Sequence, residues 1–176
     1  YPLGHSFSEK FFTEKFQKEG IDAAYQLFPI DDIKLLPELI KENPTLCGLN
    51  VTIPYKEKVI PYLDELDNTA KEIGAVNVIK FIRTANNLKL VGYNSDVIGF
   101  ENSLKPLLQA HHKKALILGT GGASKGVAFV LKKLGIEYML VSRTAGKKQY
   151  TYTDLNSNII KEYTLIINAS PVGTFP

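Results

Sequence analysis

Residues 113–123 read Lys113-Lys114-Ala115-Leu116-Ile117-Leu118-Gly119-Thr120-Gly121-Gly122-Ala123, a short apolar run that breaks into glycines. An apolar run of that length is the pattern of a parallel strand buried on both faces. Beyond the glycines, Val127, Val130, Leu131 and Leu134 recur at helical spacing, with Gly135 closing the helix. Tyr138–Val141 then reads as a second strand and Thr164–Ile167 as a third. Strand, glycine turn, helix and strand in that order open a dinucleotide-binding fold. Gly119 allows the tight turn, and Gly121 lets the backbone approach a pyrophosphate held at the helix N-terminus. The third glycine of the G-x-G-x-x-G pattern is replaced by Ser124, with Gly126 two residues on.

The end of the second strand selects the cofactor. Folds that bind NAD place an Asp or Glu about 20 residues after the turn, where it bonds the ribose hydroxyls. Here the string is Ser142-Arg143-Thr144. No acid is present to repel a 2′-phosphate, and the Arg143 guanidinium can pair with one bidentately. NADP is the expected cofactor. The segment between Thr144 and Tyr163 is polar, with little helical periodicity.

Upstream, helix and strand signals alternate. Ser8–Glu19 carries Phe11, Phe12 and Phe16 on one helical face and stops at Gly20; Ala24–Phe28 reads as a strand. A helix begins at Asp31, with Ile33, Leu36, Leu39 and Ile40 in phase, and ends at Asn43-Pro44. Residues 46–52 mix apolar and polar side chains as a strand does, and the strand is expected to include Asn50–Thr52. Pro54 reads as the first residue of a following helix, where its missing N–H costs nothing. One or two helices are expected over Lys56–Ile73, then strands Val76–Ile82 and Leu88–Tyr93 about Asn86-Asn87, then a connecting helix Asp96–Leu108.

Lys56 attracts attention on that reading. In the first helical turn it faces the positive end of the macrodipole, which disfavours a cation by roughly 0.3–1 kcal/mol. Asn50 and Thr52 share one strand face just before it. Ser6 and Ser8 at the first helix read equally as part of a capping box, Ser6-Phe7-Ser8-Glu9, or as paired hydroxyls for a carboxylate. Asp96 reads as the N-cap of the connecting helix, and Asn77 as a polar residue inside an apolar strand that must find a partner.

Composition excludes several classes. The chain has 176 residues, 44% hydrophobic and 22% charged, with a net charge of +3 that is too small to argue for nucleic acid. No apolar run approaches the ~20 residues of a membrane span. Cys47 is the only cysteine, so a disulfide framework is excluded and a reducing cytoplasm is expected. His5, His111 and His112 make no metal set with it. There is no Tyr-x-x-x-Lys pair, no G-x-x-x-x-G-K-[ST] phosphate loop and no G-x-S-x-G elbow.

Six strings in order resemble the shikimate dehydrogenase family across essentially the whole chain. Pro2-Leu3-Gly4-His5-Ser6-Phe7-Ser8 is similar to P-L-x-H-S-x-S, and Asn50-Val51-Thr52-Ile53-Pro54-Tyr55-Lys56 to N-V-T-x-P-x-K. Ile73-Gly74-Ala75-Val76-Asn77 is similar to I-G-A-V-N, and Gly92-Tyr93-Asn94-Ser95-Asp96 to G-x-N-T-D with serine for threonine. Gly119-Thr120-Gly121-Gly122-Ala123 is similar to G-x-G-G-A, and Ile166-Ile167-Asn168-Ala169-Ser170-Pro171 to I-I-N-x-[ST]-P. The resemblance implies an α/β protein with an N-terminal α/β substrate domain (1–95), a connecting helix and linker (96–112) and an incomplete Rossmann-like NADP domain (113–176). It implies that Ser6 and Ser8 hold a substrate carboxylate. Asn50, Thr52, Asn77 and Asp96 would line the pocket, with Lys56 and Asp96 as the catalytic pair. It implies cofactor contacts at Gly119, Thr120, Gly121, Gly122, Ala123, Ser142, Arg143, Thr144, Asn168, Ala169 and Ser170, and no metal. The implied reaction is the reversible NADPH-dependent reduction of 3-dehydroshikimate to shikimate in aromatic biosynthesis.

Departures from the family pattern set further expectations. Ser142 stands where Asn is usual, and the stretch after Thr144 is short, which leaves Lys147 as the candidate second phosphate contact. The chain opens at Tyr1 and stops at Pro176, whereas the resemblance implies a strand before, and strands, a substrate-contacting glutamine and a closing helix after; a partial chain is expected. An NAD-dependent quinate/shikimate dehydrogenase and a non-catalytic ligand-binding relative are the competing readings. Oligomeric state stays open, with a homodimer among the options.

Overall fold

The computed structural model describes residues 7–173. The chain divides between Leu46 and Cys47 into two compact units.

In the first unit, α1 (Phe7–Glu19) forms where the phenylalanine spacing predicts a helix. Phe12 stacks on Tyr25 with ring centroids 5.1 Å apart. Gly20, at φ +64°, ends α1: Ile21 N–H reaches Phe16 O at 2.9 Å, and Gly20 N–H reaches Gln17 O at 3.4 Å. Those two bonds make a Schellman motif, whose left-handed residue favours glycine. A 3-10 turn (Ile33–Leu35) leads into α2 (Leu36–Glu42), with Asp32 capping the Lys34 amide at 2.9 Å and Leu36 and Ile40 buried. Ala24–Phe28, expected as a strand, lies outside the strands of the described residues. Local composition marks a segment able to pair and does not supply its partner.

The second unit holds two sheets. The first is ordered β1-β3-β4-β2, built from β1 (Gly48–Asn50), β2 (Glu65–Leu66), β3 (Val78–Thr84) and β4 (Asn87–Tyr93). β3 and β4 form a hairpin closing at Thr84 opposite Asn87, and Ile79 and Phe81 turn their side chains to the core. The expected strand through Thr52 ends at Asn50. The helix expected from Pro54 is also absent. Pro54 sits in a turn, its peptide with Ile53 cis, and Lys56 follows in another turn. Proline serves turns as readily as helix starts, so the local sequence did not separate the two. Of the one or two helices expected over Lys56–Ile73, one forms, the short α3 (Asn68–Ile73), after a 3-10 turn (Ile60–Tyr62) and β2; Asp67 caps α3 through the amides of Ala70 and Thr69.

The second sheet is wholly parallel, ordered β7-β6-β5-β8, from β5 (Lys114–Leu118), β6 (Glu137–Ser142), β7 (Gln149–Thr151) and β8 (Leu165–Asn168). Counted from β5, this is the order 3-2-1-4 of a doubly wound nucleotide fold. Ala115, Leu116 and Ile117 are each 0% exposed, as a strand covered on both faces requires. α4 (Asp96–Leu104) continues into a 3-10 turn at Lys105–Leu107, shorter than the helix expected to Leu108. α5 (Gly122–Lys133) packs Val127, Val130 and Leu131 against β5 and α4. Gly135, φ +69°, closes α5 by the same two-bond motif as Gly20. The polar segment after Thr144, which shows little helical periodicity, folds into β7, a 3-10 turn (Tyr152–Asp154) and the short α6 (Ser157–Glu162). Pairing with β6 makes three residues a strand there, and that pairing is not local in sequence.

One buried charge joins the helices. Glu101 on α4, 6% exposed, accepts from Lys105 and from Lys133 of α5, each at 2.7 Å. The bond from Lys105, then that from Lys133, holds its carboxyl below the ordinary value of 4.5. A carboxylate with a lowered folded pKa contributes stability that is present above its unfolded value and lost as pH falls through the folded one. Thermal melts of Glu101→Gln and of the wild type should therefore converge as pH falls below 4.5 and through the lowered folded value. Parallel curves across that window would remove this group from the acid response.

Candidate active site

Four side chains meet where β1, β3 and the start of α4 come together. The Lys56 ammonium donates to Asp96 Oδ2 at 2.7 Å, and Asn77 Nδ2 donates to the other oxygen, Oδ1, at 2.7 Å. Asn77 Nδ2 also reaches Ser95 Oγ at 3.0 Å, while the Ser95 amide donates to Asn77 Oδ1 at 2.8 Å. Asp96 is the first residue of α4; Ser95 holds the N-cap position without a side-chain cap bond. The N-cap reading of Asp96 is corrected accordingly. Its carboxylate, near the positive end of α4, is spent on Lys56 and Asn77, which between them engage both oxygens.

Backbone bonds fix the positions of these groups. Lys56 O accepts the Val76 amide at 2.7 Å, Asn77 O accepts the Val51 amide at 2.8 Å, and Asn77 N–H donates to Tyr93 O at 3.0 Å. Buried Asn94, 7% exposed, donates to Ala75 O at 3.0 Å. The strings at 50–56, 73–77 and 92–96 are thus stitched into one frame. Sequence reasoning did not assign Asn94 or Ser95 a part; the signal was there in Asn94, a polar residue between apolar strand residues and a helix start. The Lys56 side chain is 30% exposed and that of Asp96 57%, so the pair is open to solvent on one side.

Of the other residues expected here, Asn50 closes β1 opposite Val78, and the Thr52 carbonyl accepts the Tyr55 amide at 2.9 Å on the way to Lys56. Ser8 lies on α1 in the first unit. Ser6 lies outside the described residues. The dipole argument for Lys56 fails with its helix; what distinguishes the residue is the bond to Asp96.

The second group of expected residues gathers at the carboxyl edge of the parallel sheet. Gly119 follows β5 with φ +121°; its N–H reaches Val141 O of β6 at 2.8 Å, and a Cβ there would stand 2.9 Å from Ala169 O. The Ala169 amide donates to Leu118 O at 2.9 Å, which holds the β8 end against the turn. Thr120 and Gly121 lead to Gly122 and Ala123 in the first turn of α5, and Gly121 holds the N-cap position without a side-chain cap. A Cβ on Gly121 would enter open space. At the end of β8, Asn168 Oδ1 accepts the Ser170 amide at 3.0 Å and the Ser170 hydroxyl at 2.7 Å. At the end of β6, Ser142 is half-buried and Arg143 and Thr144 are exposed. Three strand ends beside the point where strand order reverses are where such sheets take ligands. Bare helix amides behind a glycine turn fit a pyrophosphate. Among the described residues, no three His, Cys, Asp or Glu side chains cluster as metal ligands, and no helix is long and apolar enough to cross a membrane.

Comparison with known proteins gives one consistent family. Residues 1–79 match the model of the shikimate dehydrogenase substrate binding domain. The chain is 39% identical to the NADP(+) shikimate dehydrogenase of Aquifex aeolicus, over 98% of the chain and 66% of that protein. It is 38% identical to that of Halothermothrix orenii, over 100% of the chain and 67% of that protein. Among solved structures, the shikimate dehydrogenase of Aquifex aeolicus superposes with a TM-score of 0.83 at 36% identity, over 99% of this chain and 68% of the other. The Thermus thermophilus enzyme in complex with NADP(H) and shikimate superposes at 0.76 and 28% identity, over 98% and 67%. The chain spans about two thirds of the length of the curated relatives it matches.

Proposed function

The chain belongs to the shikimate dehydrogenase family, and from that premise we propose that it carries the catalytic and cofactor-binding residues of a reversible, NADPH-dependent reduction of 3-dehydroshikimate to shikimate. The observation that carries the reading is the 2.7 Å bond from the Lys56 ammonium to Asp96, whose second oxygen is held by Asn77. A solvent-accessible cation held in one orientation by a carboxylate suits proton transfer to a carbonyl oxygen.

NADPH, when bound, supplies the hydride that reduces the C3 carbonyl carbon. Lys56 donates the proton that turns the C3 oxygen into a hydroxyl, and in the oxidative direction the neutral amine takes it back. Asp96 orients Lys56 and bonds a ring hydroxyl together with Asn77; Asn50 and Thr52 line the same pocket. Ser6 and Ser8 hold the substrate carboxylate. Gly119, Gly121 and the first amides of α5 cradle the pyrophosphate, with Asn168–Ser170 alongside. In this reading residues 1–95 form the substrate domain, 96–112 the connection, and 113–176 a Rossmann-type NADP domain. A cytoplasmic setting agrees with a sequence that has Cys47 as its single cysteine.

Cofactor choice rests on Arg143. Arg143→Ala should raise the KM for NADP by about tenfold or more, the loss of a charge-assisted phosphate contact, and leave weak turnover with NAD unchanged. Equal loss with both cofactors would remove Arg143 from 2′-phosphate recognition. The reaction itself is tested by absorbance at the NADPH band, with intact protein, shikimate, and NADP or NAD in parallel. Reduction of NADP supports the proposal. Silence with both overturns it, and turnover with NAD and quinate reassigns the enzyme.

A further inference from the structure

Immediately after Lys56, Glu57 turns its carboxylate to the start of α5. Glu57 Oε1 accepts from the Lys125 ammonium at 2.8 Å and lies 3.7 Å from where a Cβ on Gly122 would stand. Gly122 is the first residue of α5, so the glycine turn and the lysine turn are joined through adjacent residues. Backbone bonds also hold the lysine turn, within the part of the unit that carries the first sheet. Val76 N–H bonds Lys56 O, Val59 N–H bonds Tyr55 O at 2.9 Å, and Ile60 N–H bonds Glu57 O at 3.3 Å. The Glu57–Lys125 bond crosses from this turn to the parallel sheet's leading helix.

We propose that Glu57 and Lys125 are positioning residues: their ion pair sets the register between Lys56 and the dinucleotide turn. The inference rests on the proposed reaction, since hydride transfer and proton transfer must converge on one carbonyl. The physical case is one of distance and not of stability. Both side chains are about half exposed, Glu57 52% and Lys125 45%, and pairs of that exposure contribute little to folding. A displacement of about 1 Å between reacting groups, in contrast, costs on the order of a hundredfold in rate. Loss of the pair should therefore leave the fold intact and misplace the chemistry.

The test uses the intact protein with four variants: Glu57→Ala, Lys125→Ala, the double variant and Lys125→Arg. Each single alanine should lower kcat by about tenfold, with the KM for shikimate and the Kd for NADP within about twofold of wild type. The double variant should be no worse than either single, because the two residues act as one unit. Lys125→Arg should restore kcat, as the guanidinium reaches the same carboxylate. Hydrogen exchange gives a readout free of activity. The amides of Val59 and Ile60 should exchange about two- to threefold faster in Glu57→Ala and return to the wild-type rate in no variant lacking the pair. Unchanged exchange there overturns the proposal, even if the wild-type protein fails to reduce NADP. That latter failure counts against the proposed reaction alone. Additive losses in kcat also overturn it. So does a split in which Glu57→Ala tightens NADP while Lys125→Ala weakens it, since the carboxylate would then be a competitor of the phosphates.

Discussion

Lys56→Ala is expected to lower kcat for shikimate oxidation by about 10²–10⁴-fold, the range lost with a positioned general acid or base. The KM for shikimate should change far less, because in the proposed reading Asp96, Asn77 and the serines bind the ring and carboxylate without Lys56. The geometry underlies that division. Lys56 donates to one oxygen of Asp96 at 2.7 Å and Asn77 to the other, so deleting the lysine frees one oxygen and leaves Asn77 and Ser95 bonded as before. The Lys56 backbone carbonyl, which accepts Val76 N–H, is also unaffected by the substitution. Steady-state kinetics with saturating NADP is the check. A raised KM with kcat intact would reduce Lys56 to a binding residue and transfer the proton to another donor.

The parts of the fold legible in the sequence are those in which one local pattern has one solution. Lys114–Leu118 has the pattern of a strand covered on both faces, and the glycines directly after it that of a turn into a helix. Gly20 and Gly135 both mark helix ends because the left-handed residue of the closing motif favours glycine. The misread parts are those in which two local solutions compete. Pro54 suits a helix start or a turn, and the choice is made by the frame around it. Gln149–Thr151 is polar and short, and becomes a strand through its register with Leu140–Ser142. Thr52 fits the strand pattern, but β1 ends where its pairing to β3 ends, at Asn50 opposite Val78.

The same distinction holds for the site. Lys56 attracted attention through a helix dipole that does not exist at that place; its actual distinction is a partner forty residues away along the chain. Asp96 read most simply as an N-cap, yet the cap position belongs to Ser95 and the carboxylate faces sideways into the cluster. Asn77 was legible as a polar residue needing partners, though not which partners. Glu57 and Lys125 carried no signal, because an ordinary surface acid and base become a strut only when two sheets bring them together. Local pattern made residue types legible; of the long-range pairings, the family resemblance implied Lys56 with Asp96, and the Glu57–Lys125 pairing had no signal.

Gly119→Ala should be the most damaging single-methyl change to cofactor binding. At φ +121° an L side chain is strained, at a cost of about 1–3 kcal/mol. The added Cβ would also stand 2.9 Å from Ala169 O and 3.1 Å from its carbonyl carbon, both backbone atoms. Neither side of the clash yields easily. Gly119 N–H is bonded to Val141 O at 2.8 Å, and the Ala169 amide to Leu118 O at 2.9 Å, so the turn is clamped between β6 and β8. Relief requires moving either the glycine turn or the Ala169-Ser170 backbone, and in this reading both face the dinucleotide. The expected result is a lowered melting temperature together with an NADP Kd raised by about tenfold or more, one decade per about 1.4 kcal/mol. Gly126→Ala is the control: its Cβ would meet Val97 Cγ2 at 3.5 Å, an ordinary contact, and alanine favours the helix. Melts and NADP titrations of the two variants should diverge, with Gly126→Ala at or above wild-type stability. If Gly119→Ala bound NADP as the wild type does, the glycine turn would not be where the pyrophosphate sits.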